Sequence, residues 1–124
     1  MTIEDQITRA IGVHGQWKFR LTQAVDTGAS EFDPDVVKFD NRCEFGKWLH
    51  EEITPEEQVA GHYSHVVELH AKFHTLASNI LREAVAGDKD HARELIASGS
   101  EYAALSSEMT LSLMAWKKSL AAAA

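Results

Sequence analysis

The stretch TPEEQVAGHYSHVVELHAKFHTLASNILREAVAG, residues 54–87, decides the architecture. Its apolar and ring-bearing positions Val59, Tyr63, Val66, His70, Phe73, Ala77, Ile80 and Ala84 recur at steps of four and three. Such steps line one face of an α-helix, whereas a strand alternates at every second residue. Thr54 offers a capping hydroxyl, Pro55 suits a first turn, and Glu56 and Glu57 put negative charge at the positive end of the helix dipole. Gly87 marks the stop.

Working outward, the N-terminal side carries Ile3, Ile7, Ala10, His14, Trp17, Leu21 and Ala24 at the same steps. Thr2, followed by Glu4 and Asp5, predicts a capped start, and Gly28 an end. One helix of ~25 residues, ~38 Å long, is expected there. Gly12 and Gly15 each weaken it by about 1 kcal/mol, while leaving room for close approach beside His14. Residues 29–41 read as a connection with Phe32, Val36, Val37 and Phe39 tucked against the helices. A short helix from Arg42 to His50, capped by Asp40 or Asn41, follows. Beyond Gly87, Asp88 caps a last segment with Ala92, Leu95, Gly99, Tyr102, Ser106, Met109, Leu113, Trp116 and Leu120 in phase. Gly99 sits between two serines and either interrupts that segment at 97–100 or lies inside it; the unbroken phase favours a continuous helix. The fold class is therefore all-α: an antiparallel bundle of three long helices, the last open to a split, plus a short cysteine-bearing helix. One domain over residues 1–120 accounts for the pattern, with the alanine-rich 121–124 read as a linker stub or tail.

Composition narrows function. The net charge is −7, and no basic cluster offsets it, which argues against nucleic acid or an anionic membrane as partner. No apolar run reaches the ~18 residues of a membrane span. No charged-then-apolar leader opens the chain, and the only cysteine, Cys43, has no partner for a disulfide within the chain. Both features lead us to expect a reducing cytoplasm.

Seven histidines accompany that thiol. His70 and His74, four apart, share a helix face and could share a metal ion, a spacing that carries little weight by itself. His14 weighs more, because it occupies an apolar stripe. A buried imidazole left without partners costs ~1–3 kcal/mol, and a lone case is most simply a core histidine bonded to a carbonyl or water. Two stripe histidines, His14 and His70, facing one interior shift the balance towards a shared ligand. Cys43, read as standing in the first turn of the short helix, gains thiolate character from the dipole. It completes the three-nitrogen, one-sulfur set of a structural zinc site; its plain alternative is a small buried hydrophobe. Such a site leaves no position for a water nucleophile, so catalysis is not expected. His50, His62, His65 and His91 read as surface residues, with His62 and His65 as alternative or supporting ligands. Trp17, Phe73 and Trp116 read as core, and Glu44 and Lys47 as a solvated face.

At these residues the chain resembles the bacterial chemoreceptor zinc-binding (CZB) domain. The likeness is carried by His14-x-x-Trp17, Cys43-x-Phe45-Gly46-x-Trp48 and His70-x-x-x-His74, in an order and spacing similar to the family's, and extends over almost the whole chain. Phe45 stands where the family more often has leucine, a conservative change at a packing position. The resemblance implies Zn2+ held by His14, Cys43, His70 and His74, and a homodimer. It also implies control of an output such as a chemoreceptor signalling region or a diguanylate cyclase, in response to zinc availability or to oxidants such as hypochlorous acid. The competing readings are a metal-free helical dimerisation or adaptor module, and a metalloenzyme using three histidines with Cys43 displaced. The metalloenzyme would need an acid placed as a general base, and no spacing marks one.

Overall fold

The computed structural model describes residues 2–54 and 61–123, all helix, turn or loop with no strand among them. In order come α1 (Ile3–Gly15), α2 (Trp17–Thr27), α3 (Pro34–Val37), α4 (Glu44–Lys47), a π-helical turn (Trp48–Glu52), α5 (Gly61–Val85), α6 (Lys89–Ile96) and α7 (Glu101–Ala123). The predicted capping run Thr54–Glu57 reaches into residues outside those described, as does Val59; from Gly61 onward the long helix is present over 25 residues.

α5 is the hub. It packs against α2, α3, α6 and α7, while α1 packs against α7. The stripes read from the sequence supply the core: Ile7 and Leu21, Val66, Phe73, Ala77 and Ala84, and Leu113 and Trp116 are each buried to within 1 %. Each large side chain among them contributes ~1.5–3 kcal/mol by leaving water. Among the described residues no helix is long and apolar enough to cross a membrane.

Local physics adjusts the expected elements in four places. The long N-terminal helix is interrupted at Gln16, which keeps right-handed dihedrals, but its N–H is shared between the carbonyls of Gly12 and Val13 at 3.2 Å each. At the start of α1, Thr2 and Asp5 exchange hydrogen bonds of 3.1 Å, the reciprocal cap expected from the sequence.

The continuous last helix is corrected to two. Ala97 is extended, and Gly99 has φ +85°, a left-handed conformation that glycine adopts without a Cβ penalty. Ser100 then caps α7, its hydroxyl accepting the Ala103 N–H at 3.1 Å. The short helix does not run from Arg42 to His50. It begins after Cys43, lasts one turn, and loosens into the π-helical turn. Finally, the 29–41 connection contains α3. Of its four apolar side chains only Val37 is buried and Phe32 half-buried against Trp17, while Val36 and Phe39 stay exposed.

Candidate metal centre

Three segments bring four donor side chains to one point. α1 presents His14 from its buried face, and α5 presents His70 and His74 from successive turns. The loop before α4 presents Cys43, which is itself the N-cap: its backbone is extended, and its sulfur accepts the Gly46 N–H at 3.3 Å. Neither Asp40 nor Asn41 caps this helix. Gly46 is needed because a Cβ there would overlap the Asp40 carbonyl. The loop is thereby folded tightly beneath the turn that carries the thiol. Phe45, Trp48 and Leu49 anchor that turn in the core.

Four of the six donor spacings lie close to those around a tetrahedral ion. His70 Nε2 lies 3.2 Å from His14 Nε2 and 3.0 Å from His74 Nε2, and Cys43 Sγ lies 3.3 Å from His70 Nε2 and 3.9 Å from His14 Nε2. All four donor atoms fall within 4.8 Å of one another. With Zn–N of ~2.05 Å and Zn–S of ~2.3 Å, the edges of a regular tetrahedron are ~3.3 Å between nitrogens and ~3.6 Å from sulfur to nitrogen.

Ring orientation supplies an independent test of fit. His14 Nδ1–H donates to the Ala10 carbonyl at 2.9 Å, and His74 Nδ1–H donates to the Val37 carbonyl at 2.8 Å. A carbonyl only accepts, so both rings carry their proton on Nδ1 and aim bare Nε2 lone pairs at the centre. Lone pairs this close to His70 Nε2 repel unless a proton on that nitrogen or a cation at the centre lies between them. On its far side, buried His70 Nδ1 meets no hydrogen-bond partner among the described residues.

Electrostatics favour neutral imidazoles. Burial lowers the pKa of His14 to about 4 and that of His70 to about 2, and lowers that of His74 as well. The thiol goes the other way: burial raises it, and the amide donors from Gly46 and Phe45 offset this only in part. The expected dipole-stabilised thiolate is therefore corrected. In this pocket the sulfur keeps its proton until a metal displaces it. Edge-on contacts from Phe45 to His70 (5.3 Å between centroids) and from Phe73 to His14 (5.4 Å) wall the cluster with rings.

The structure brings together all four residues singled out from the sequence. His50, His65 and His91 are exposed and His62 half-buried; none of these joins the cluster. His50 pairs instead with Asp40 at 3.1 Å. The sequence reading missed the supporting role of α3, whose Val37 carbonyl orients His74. Ser78 Oγ–H donates to the Pro34 carbonyl at 2.8 Å and Arg82 pairs with Asp35, so α5 grips α3 along three successive turns. The signal was present: Asp33 caps through the Asp35 N–H, and Pro34 follows at the first helical position.

No curated protein and no solved structure shows a significant match to the chain. The sequence profile of the chemoreceptor zinc-binding domain matches residues 14–81, more than half of the 124. That span is narrower than the nearly whole-chain likeness read from motifs, yet it opens on His14 and encloses Cys43, His70 and His74. A zinc-binding fold of this description and a four-donor cluster of zinc geometry coincide in one segment. The chain thus belongs to the chemoreceptor zinc-binding domain family.

Proposed function

We propose that the chain is a zinc-dependent regulatory domain of the cytoplasm in which His14, Cys43, His70 and His74 hold the ion. The observation that carries this reading is the convergence of bare Nε2 lone pairs and one sulfur on a single point, from α1, the start of α4 and α5. Bound zinc supplies a cross-link among these three segments, and its full donor set leaves no place for a reacting water, so the role is regulatory and not enzymatic. Cys43 is the switchable donor. Withdrawal of zinc, or oxidation of the sulfur by hypochlorous acid or a related oxidant, removes its bond and leaves the α4 turn held by the packing of Phe45, Trp48 and Leu49, by the Tyr63 hydroxyl on the Leu49 carbonyl and by the exposed Arg9–Glu44 pair.

The released turn would signal to an output module such as a chemoreceptor signalling region or a diguanylate cyclase. Two copies would work together: Leu111 and Met114, three residues apart on α7, are 63 % and 54 % exposed and suit a homodimer contact. Protein purified without added metal should contain one zinc per chain, and Cys43→Ser should lose most of it together with the response to oxidant. A metal-free wild type would instead support the adaptor reading, and a Cys43→Ser protein with full zinc affinity and full oxidant response would refute the mechanism.

A further inference from the structure

The four donors are not equally sealed. His14, His70 and His74 are 3 %, 0 % and 3 % exposed, whereas Cys43 is only partly buried. A cleft between α1 and the start of α4 reaches Cys43. Gln6, Arg9 and Val13 line the α1 side, Glu44 lines the other, and Cys43 and His14 border the same space, about 40 Å³ in all. One water-sized probe needs ~10–15 Å³, so molecules of two or three heavy atoms fit and a peptide does not. Arg9 and Glu44 form an ion pair of 3.1 Å that ties one wall to the other. Because the pair balances its own charge, the opening selects by size more than by sign.

We propose that this cleft is a port through which small two-electron oxidants reach the Cys43 sulfur, and that the Arg9–Glu44 pair narrows it against reagents of tripeptide size. The proposal rests on the reading of Cys43 as the oxidation-responsive donor and adds what selects the oxidant. With hydrogen peroxide, the thiolate sulfur attacks one oxygen. The S–O bond forms as the O–O bond breaks, and the departing hydroxide takes a proton to become water. Sulfur is oxidised to sulfenic acid while peroxide is reduced. A thiol–disulfide exchange at the same sulfur would require a much larger reagent to align along the S–S axis, which the paired walls prevent.

The test measures Cys43 modification by intact-protein mass spectrometry on the protein as purified, with its zinc content determined alongside. Two reagents are compared, hydrogen peroxide and a bulky aromatic disulfide, each scaled to a short unstructured peptide thiol. The scaled preference for peroxide should be about tenfold or more. Arg9→Ala and Glu44→Ala should raise the disulfide rate about tenfold and change the peroxide rate less than about twofold. Val13→Trp should fill the cleft and slow peroxide about tenfold with zinc content retained. Equal reactivity towards both reagents, or Arg9 and Glu44 variants that leave the ratio unchanged, would overturn the port. If the ratios behave as stated but oxidised Cys43 still holds zinc, the port stands and the regulatory reading falls.

Discussion

Replacing Gly46 with alanine separates two physical effects of opposite sign. Gly46 lies within α4 at ordinary negative φ, so helix propensity alone predicts that alanine stabilises by about 1 kcal/mol. The structure predicts the reverse. A Cβ at this position would overlap the backbone carbonyl of Asp40, and backbone cannot rotate aside as a side chain can. Relief requires the 40–46 segment to move by an ångström or more. Overpacking of this kind costs ~1–3 kcal/mol. The same movement carries Cys43 Sγ away from partners now 3.3 and 3.9 Å distant, and metal sites tolerate only ~0.2 Å of error in each bond. We therefore expect Gly46→Ala to lower zinc affinity about 10–100-fold, the scale seen when support of a ligand is lost. Competition against a chromophoric chelator measures the affinity, and thermal melts with and without zinc measure stability. Gly12→Ala is the control. It meets nothing within 4 Å and should stabilise by about 1 kcal/mol with unchanged zinc binding. Wild-type zinc affinity in Gly46→Ala, within about twofold, would refute the steric argument.

Further expectations concern the metal, the histidines and α3. Free zinc at ~1,000 times its dissociation constant should stabilise the fold by ~4 kcal/mol, so chelation should lower Tm by ~15 °C in a differential scan. The zinc-free protein should also be acid-sensitive. His14 is held at about 4 when folded against 6.5 when unfolded, so the unfolded chain binds the extra proton. Stability is fully present above ~6.5 and is lost as the pH falls to ~4, by ~3 kcal/mol from His14 alone, as urea unfolding at stepped pH would show. Ser78→Ala should cost ~0.5–1.5 kcal/mol by removing one of the two hydrogen bonds to the Pro34 carbonyl, which keeps the Lys38 N–H, and should weaken zinc binding severalfold by loosening the Val37 carbonyl from His74. A Ser78→Ala protein with the wild-type melting temperature and zinc affinity would show that α3 gives the site no support.

What could be read from the chain was whatever repeats. Val66, His70, Phe73, Ala77 and Ile80 announce their helix by spacing, and the same arithmetic buried His14 beside Ile7 and Leu21. The site followed, because a polar side chain standing in an apolar stripe needs a reason to be there. Periodicity fails where backbone conformation decides. Gly99 keeps the apolar phase yet turns left-handed, and nothing in the spacing of Leu95 and Tyr102 separates a helix from two helices meeting at a turn. Cys43 was placed two positions too deep, because cap and first turn differ by an extended backbone and not by composition. The carbonyls of Ala10 and Val37, which set the two ring tautomers, carry no side-chain signature at all. For the thiol, the helix end and burial pull in opposite directions, and only a folded chain shows that burial prevails.

X-ray absorption at the zinc edge on the metal-loaded protein tests the central claim most directly. Our account predicts one sulfur at ~2.3 Å and three imidazole nitrogens at ~2.0–2.1 Å, with no further oxygen. A spectrum lacking sulfur, or showing a bound water in its place, would contradict it.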